Sequence, residues 1–445
     1  MTKVITYGTY DLLHYGHIRL LQRAKALGDY LIVGVTADGF DQARGKINVQ
    51  QSLMERIEAV KATGLADEIV VEEYEGQKID DIKRYDIDIF TVGSDWRGHF
   101  DYLNEFCKVV YLDRTEGISS SEIRSEVRTL RIGLVGELPA LDKFRIECNY
   151  VNGATISGVY SLDNRLLSNE LKALPNYSCY QKLLDNSDAV YIYSNSPFHY
   201  EQAFLALKNK KHVLCESPIA LTVLQWEELK REAKSQHVVL MDSIKTAYAT
   251  AYYRLQLMVK SGIIGEVVSV DSICTSQSNL RMSKTENFPY IWNSMSEWGA
   301  TALLPIFQLM GTDYKDKIIT SRIKEGSKDF DLFTKIAFIY PHGVASMKVG
   351  QGVKSEGELI ISGTEGYIYV SAPWWKTDYF EVRYENPSNN KRYFYQLEGE
   401  GIRYEIVSFL KTIQRGTDYH YIDDDISKAI VQVMEDFENH KFISI

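Results

Sequence analysis

The run Gly8-Thr9-Tyr10-Asp11-Leu12-Leu13-His14-Tyr15-Gly16-His17 decides how the first part of this chain reads. An apolar strand, residues 4–7, leads into it, and an amphipathic helix, residues 18–27, leaves it and stops at Gly28. Two histidines three residues apart at a strand-to-helix turn project to one side, with the helix's unpaired amides behind them. Two imidazoles and a positive dipole end then face the place where a triphosphate would lie. Neutral or protonated, each imidazole can donate a hydrogen bond to a phosphate oxygen.

Outward from this run, strand and helix alternate through the first 130 residues. Apolar residues 30–36 suit a buried parallel strand. Residues 52–63 read as a helix, 68–71 as a strand and 79–85 as a helix, and strands at 87–93 and 108–112 complete a five-strand, doubly wound α/β pattern. A ligand should sit at the carboxyl ends of such strands. The conspicuous runs fall there: residues 8–17 after the first strand, Gly93-Ser94-Asp95-Trp96 after the fourth, and Arg114-Thr115-Glu116-Gly117-Ile118-Ser119-Ser120-Ser121 after the fifth.

A helix over residues 120–129 leads, with no glycine- or proline-rich linker, into a new strand, Arg131-Ile132-Gly133-Leu134-Val135-Gly136. Strands at 154–161, 189–194, 212–216 and 238–242 and helices at 198–209 and 221–235 form a second alternating region. From about residue 266 the pattern changes to long alternating runs, 333–340, 344–350, 358–362, 367–371 and 379–384, read as a mostly antiparallel sheet. Helices at 404–415 and 426–439 cover it. The expected division is a nucleotidyltransferase-type Rossmann-like domain at 1–130, a dinucleotide-binding-type α/β domain at 131–245 and an α+β domain with an open antiparallel sheet at 246–445. The halves differ in kind, which points to fusion rather than duplication.

At 445 residues the chain is too long for one ordinary core. Its 45% hydrophobic and 25% charged content is that of a globular protein in water. A formal net charge of −10 argues against a nucleic-acid partner. No apolar run is long enough to span a bilayer, and the N-terminus, Met1-Thr2-Lys3-Val4, enters a strand without the apolar stretch of a signal peptide. Five scattered cysteines with no Cys-x-x-Cys fit a reducing compartment and no zinc site. A cytoplasmic location without a membrane partner is expected.

The two motif runs, residues 8–17 and 114–121, resemble the Gly-Thr-(Phe/Tyr)-Asp-x-x-His-x-Gly-His and Arg-Thr-x-Gly-Ile-Ser-Thr-Thr signatures of cytidylyltransferases. Residues 1–130 resemble glycerol-3-phosphate cytidylyltransferases over almost their whole length, with Leu20-Leu21-x-Arg23-Ala24-Lys25-x-Leu27-Gly28-Asp29-Tyr30 and Gly93-x-Asp95-Trp96 also matching. The resemblance implies that CTP and a polyol phosphate, glycerol phosphate above all, give a CDP-polyol and pyrophosphate, for a teichoic-acid-like or capsular polymer. It implies catalytic roles for His14, His17, Lys46 and Arg114. It implies nucleotide contacts at Gly8, Thr9, Tyr10, Asp11, Gly16, Gly93, Asp95, Arg114, Thr115, Gly117, Ile118, Ser119, Ser120 and Ser121. Arg44, Lys46, Lys78 and Trp96 are the implied acceptor residues. Arg44 stands where the family commonly has lysine, and the spacing from Lys46 to Arg56 is one residue longer than in relatives. Mg²⁺ is the implied metal, coordinated mostly by the phosphates, since the sequence offers no carboxylate cage.

Residues 131–445 resemble the family of glucose–fructose oxidoreductase and inositol dehydrogenase. The resemblance is carried by Ser194-Asn195-Ser196-Pro197-Phe198-His199-Tyr200, Val213-Leu214-Cys215-Glu216-Ser217-Pro218 and Glu297-Trp298-Gly299-Ala300-Thr301. It implies NAD(P) as a cofactor and a homodimer formed through the open sheet. The functional positions depart from the pattern. Of the glycine fingerprint only Gly133 and Gly136 remain, followed by Glu137 and Pro139. The family's lysine is Ser217, its histidine Thr301 and its aspartate Leu304. Hydride transfer needs a proton donor poised near neutrality, and Ser or Thr supplies none unaided. The sequence therefore points to a second half that is structural or ligand-sensing. The alternative is a reductase of a phosphorylated keto compound that supplies the polyol phosphate, with Lys245 and Tyr248 as substitute groups.

Overall fold

The computed structural model describes all residues except 14, 38–50, 74–75, 114–128, 137–139, 152, 278–292, 328–329, 396 and 416–420. The chain divides into two compact units, Met1–Thr129 and Leu130–Ile445.

Five parallel strands form the sheet of the first unit: β1 (Lys3–Gly8), β2 (Tyr30–Thr36), β3 (Glu68–Glu72), β4 (Ile89–Gly93) and β5 (Lys108–Leu112), in the order β3-β2-β1-β4-β5. Successive residues of a strand point to opposite faces, and here both faces are covered. Val4, Leu31, Val33 and Val35 pack with Leu21, Ala24 and Val60 from the helices Tyr15–Lys25 and Leu53–Ala62. Ile5, Tyr7, Ile32 and Phe90 pack on the other side with Ile82 of the helix Gln77–Tyr85 and with Phe100 and Leu103. The helix Leu53–Ala62 starts on a reciprocal capping box, Ser52 with Glu55. Strand order reverses between β1 and β4, so the crevice of this sheet opens beyond Gly8 and Gly93, the last residues of those strands.

The second unit holds two sheets. The parallel one contains β6 (Leu130–Gly136), β7 (Ala154–Tyr160), β8 (Ala189–Tyr193), β9 (His212–Glu216) and β10 (Leu240–Ser243) in the order β10-β9-β8-β6-β7. One face is covered by the helices Ser196–Lys208 and Val223–Gln236 through Val190, Ile192, Val213, Leu207 and Leu229. The other contributes Ile132, Leu134, Tyr191 and Met241 to a core shared with the larger sheet, through Met347 and Ile361. That sheet runs β18 (Lys391–Phe394), β17 (Tyr379–Arg383), β16 (Tyr367–Val370), β15 (Leu359–Gly363), β11 (Val267–Thr275), β14 (Val344–Gly350), β13 (Asp331–Ile339), β12 (Asp316–Ile323) and β19 (Ile443–Ser444). It is mostly antiparallel, the exceptions being β11 with β14 and β12 with β19. The buried helix Ser294–Met310 lies in the shared core, and no helix of the described residues is long and apolar enough to cross a membrane.

One glycine fixes how β1 and β2 sit together. A Cβ on Gly34 would come 2.1 Å from the Tyr7 ring. That ring cannot swing away freely, because its hydroxyl donates to Asp81 at 2.8 Å and the Lys78 ammonium stands 4.7 Å above it. Gly34→Ala is therefore expected to destabilise the first unit by about 1–3 kcal/mol, read as a lowered midpoint in urea denaturation.

Candidate functional sites

The site of the first unit is built on the turn that follows β1. Tyr10 and Leu12 adopt left-handed backbone conformations, φ 54° and 48°, which is costly for large side chains and needs bracing. The bracing comes from Gln51 and Arg56. The Asp11 carboxylate accepts from the Gln51 amide at 2.9 Å, and the Gln51 side chain accepts from the Leu12 amide at 2.7 Å. Arg56, fully buried, donates to the carbonyls of Thr9 and Thr36 at 2.7 Å each and of Gln51 at 3.1 Å. The turn is thereby tied to the end of β2 and to the start of the helix Leu53–Ala62.

His17 enters the third position of the helix Tyr15–Lys25, with Gly16 before it, and packs edge-on against Tyr10 at 5.6 Å between ring centroids. Tyr10 itself is buried, its ring lies against Gly8, and burial pushes its phenol far above the ordinary range. Asp11 is buried as well. Gly93 ends β4, and the short turn Ser94–Trp96 follows, with Trp96 set against His99 at 5.4 Å and Phe100 at 5.8 Å. Lys78 is buried at the carboxyl-end level of the sheet. It pairs with Glu72, the last residue of β3, whose other oxygen accepts from the Thr36 hydroxyl at 2.9 Å. Gly8, Thr9, Tyr10, Asp11, Gly16, His17, Gly93 and Trp96 thus all belong to the ends of β1 and β4 or the elements that directly follow them, and Lys78 to the end of β3. His14, Arg44, Lys46, Arg114, Thr115, Gly117, Ile118, Ser119, Ser120 and Ser121 lie outside the described residues, as does the Asp95 side chain. Arg56 and Gln51 were not legible as site residues. The only sequence signal is an arginine one position beyond a capping box, four residues before the buried Val60 on the same helix face.

At the carboxyl ends of β8, β9 and β10 the second unit gathers acids. The Ser243 hydroxyl lies 3.1 Å from Glu405 and 3.3 Å from Glu216. Burial pushes the Glu405 carboxyl up to about 8, against the opposing pull of the Ser243 hydrogen bond and the Lys245 charge. Burial, and next the Glu405 charge, raise Glu216 well above the usual carboxylate range. His199 bridges the carbonyls of Pro218 and Ser194 at 2.8 and 2.9 Å, and burial lowers its pKa. Ser217 donates to Asp242 at 2.9 Å. Tyr248 is buried with its hydroxyl on the Asp242 carbonyl at 3.0 Å, while Lys245 pairs with Glu400.

Comparison with known proteins gives each unit a class. Residues 5–126 match the cytidylyltransferase-like family, and residues 131–243 the oxidoreductase family with an NAD-binding Rossmann fold. The glycerol-3-phosphate cytidylyltransferase of Bacillus spizizenii is 48% identical over 130 residues, which are 29% of this chain and 100% of that relative. Trans-1,2-dihydrobenzene-1,2-diol dehydrogenase of Oryctolagus cuniculus is 24% identical over 251 residues, 54% of this chain and 75% of that relative. A solved 3-ketoreductase from Actinomadura kijaniata, in complex with NADP and TDP-benzene, superposes with a TM-score of 0.60 at 16% identity. It covers 72% of this chain and 99% of its own, a likeness of fold. The protein is a nucleotidyltransferase fused to an oxidoreductase-type unit. Through its first unit the chain belongs to the glycerol-3-phosphate cytidylyltransferase family.

The oxidoreductase fold implies a nicotinamide cofactor, and the described residues do not fit the chemistry that goes with it. Gly136 has φ 129°, and a Cβ there would come 2.2 Å from the Tyr193 carbonyl oxygen, so this glycine answers the close approach of β6 to β8 rather than an open cradle. Ser217 is committed to Asp242, and Leu304 is buried in the apolar core. Glu137 and Pro139 lie outside the described residues.

Two outcomes follow. Arg56→Met leaves three backbone carbonyls without their donor and should cost on the order of 3 kcal/mol or more, measured by urea denaturation. Glu405 takes up its proton more readily folded than unfolded, where the ordinary value is 4.5. The folded state then binds the extra proton between about 4.5 and about 8, so stability falls as pH rises through that window. Glu405→Gln is expected to flatten that slope in thermal melts run from acid to mildly alkaline pH, with Glu216 supplying what remains.

Proposed function

We propose that the first unit joins CTP to a polyol phosphate, with glycerol phosphate the first candidate, releasing pyrophosphate. The observation that carries this reading is the coverage of a glycerol-3-phosphate cytidylyltransferase along its entire length at 48% identity. An oxygen of the acceptor phosphate attacks the α-phosphorus in line. That P–O bond forms as the bond to the bridging oxygen of the β-phosphate breaks, and the charge leaves on pyrophosphate. The protein's work is positioning and charge stabilisation.

His14 and His17 are assigned to the triphosphate and its transition state, and Lys46 and Arg114 to the same charge. Gly8, Thr9, Tyr10, Asp11, Gly16, Gly93, Asp95 and residues 114–115 and 117–121 are assigned to the nucleotide, Tyr10 and Asp11 from their buried positions within the turn. Arg44, Lys46, Lys78 and Trp96 are assigned to the acceptor, Lys78 as a fixed charge held by Glu72 at the strand ends. Mg²⁺ would shield the triphosphate. The division 1–130, 131–245 and 246–445, a homodimer through the open sheet, a cytoplasmic location, and a product destined for a teichoic-acid-like or capsular polymer complete the proposal.

A second reading is supported by the oxidoreductase match of residues 131–243: the second half reduces a phosphorylated keto compound with NAD(P)H and supplies the acceptor. It stands behind the first because Ser217, Thr301 and Leu304 offer no proton donor of the family's kind.

Pyrophosphate release from CTP and Mg²⁺ is expected with one member of a panel of glycerol 3-phosphate, glycerol 2-phosphate, and tetritol and pentitol phosphates. His17→Ala should lower that release by roughly 10²–10³-fold, the usual size of losing one donor to a developing charge. Equal release by wild type and His17→Ala would remove His17 from the chemistry.

A further inference from the structure

Three ammonium groups from three separate segments close on one carboxylate in the second unit. Lys143, on the helix Ala140–Cys148, and Lys245, two residues beyond β10, each reach one oxygen of Glu400 at 3.0 Å, and Lys376 reaches the other at 2.6 Å. Burial opposes the ionisation of Glu400, but the lysine hydrogen bonds and charges outweigh it and hold the carboxyl far below the usual range. Glu400 therefore stays ionised, and one negative charge faces three positive ones. The four side chains are between 31% and 53% exposed, and each ammonium has three donors, more than the single contact to Glu400 uses. A surplus of two positive charges matches a phosphomonoester, which carries close to two negative charges at neutral pH.

Lys245 belongs to a second group as well, because its charge also acts on Glu216 and Glu405. There the Ser243 hydroxyl has one proton to offer and two carboxyls within reach. The second oxygen of Glu405, a residue only 1% exposed, has no hydrogen-bond partner among the described residues. A hydroxyl from a bound molecule, water included, would match a buried oxygen in that position, as would, with the carboxyl protonated, a carbonyl oxygen. Glu216, Tyr193 and Glu297 are half-buried beside this fully buried floor.

We propose that these side chains bind a small phosphorylated polyol or keto compound, its phosphate on Lys143, Lys245 and Lys376 and a hydroxyl or carbonyl oxygen on Glu405 and Glu216. The site itself stands on the second unit alone; only the choice of a polyol phosphate as ligand rests on the cytidylyltransferase reading. The two units would then handle the same class of compound, the second as a sensor or store of what the first consumes.

The test is calorimetric titration of the full chain with glycerol 3-phosphate in the absence of CTP, with glycerol and inorganic phosphate as controls. Wild type should bind two equivalents, and the double variant Lys143→Ala/Lys376→Ala should weaken one of them by at least about tenfold, the size expected for lost charge-assisted hydrogen bonds. That variant should keep cytidylyl transfer at saturating acceptor. Glu400→Gln, which raises the charge surplus, should tighten the same equivalent, a change that loss of local structure would not produce. A single wild-type equivalent that the double variant abolishes keeps this site and counts against acceptor binding in the first unit. A single equivalent that survives the double variant, or weakening by Glu400→Gln, overturns the proposal.

Discussion

A guanidinium keeps its charge wherever the chain puts it, so a buried arginine must be met by acceptors. Arg56 is met by three backbone carbonyls, and two of them, Thr9 and Thr36, lie where β1 and β2 run out. Carbonyls at the carboxyl ends of parallel strands have no further strand partner, and one cation satisfies several at once. This single side chain therefore closes the end of the sheet and pins the turn carrying Tyr10 and Leu12 in conformations that neither residue favours alone. The helix bearing His17 starts directly beyond that turn, so the direction of the imidazole depends on it. From Thr36 the same chain of contacts passes to Glu72 and Lys78, so two cations on separate helices stand at either end of it.

How far the sequence could be read follows from what burial does to each residue type. The strands of the first unit were legible because both faces of a parallel sheet are apolar; residues 30–36 and 108–112 are strands with those bounds. The helix predicted at 18–27 begins earlier, at Tyr15, and ends at Lys25, because Gly16 and His17 form its first turn rather than the loop before it. The antiparallel runs were legible for the complementary reason, since period-two alternation marks a sheet with one buried face. Val344–Gly350 shows it directly, with Ala345, Met347 and Val349 inward and Val344 outward.

What stayed hidden were the buried charges. A reading of pattern places lysine and arginine at the surface or on a ligand, and so Lys78 reads as an acceptor residue and Arg56 enters only as the end point of a spacing. Both are inside, Arg56 matched by carbonyls from two distant segments and Lys78 by Glu72 at the end of the preceding strand. The acids of the second unit were hidden the same way: Ser243 and Glu405 are 162 residues apart, and no local motif links them. Resemblance directs attention to Ser217, Thr301 and Leu304 as losses; Glu405, which the fold brings to Glu216 of that same loop through Ser243, comes from a segment that no signature contains.

Both units collect their polar groups at the carboxyl ends of a five-stranded parallel sheet, yet they solve the electrostatics in opposite ways. In the first, Arg56, Lys78 and His17 stand by the strand ends, and the buried acids Asp11 and Glu72 are already committed to Gln51 and to Lys78 and Thr36. The described cations are spent on backbone carbonyls and on Glu72, so this end of the sheet is closed by matched partners. In the second, burial keeps Glu405 protonated at neutral pH and so removes the repulsion that a pair of carboxylates would otherwise exert on an anion beside it. A neutral acid can donate a hydrogen bond where a carboxylate only accepts, and a protonated Glu405 takes nothing from the positive charge that Lys143, Lys245 and Lys376 hold in surplus over Glu400. Desolvation, which in the first unit forces Arg56 to find carbonyls, in the second raises the pKa of both Glu405 and Glu216.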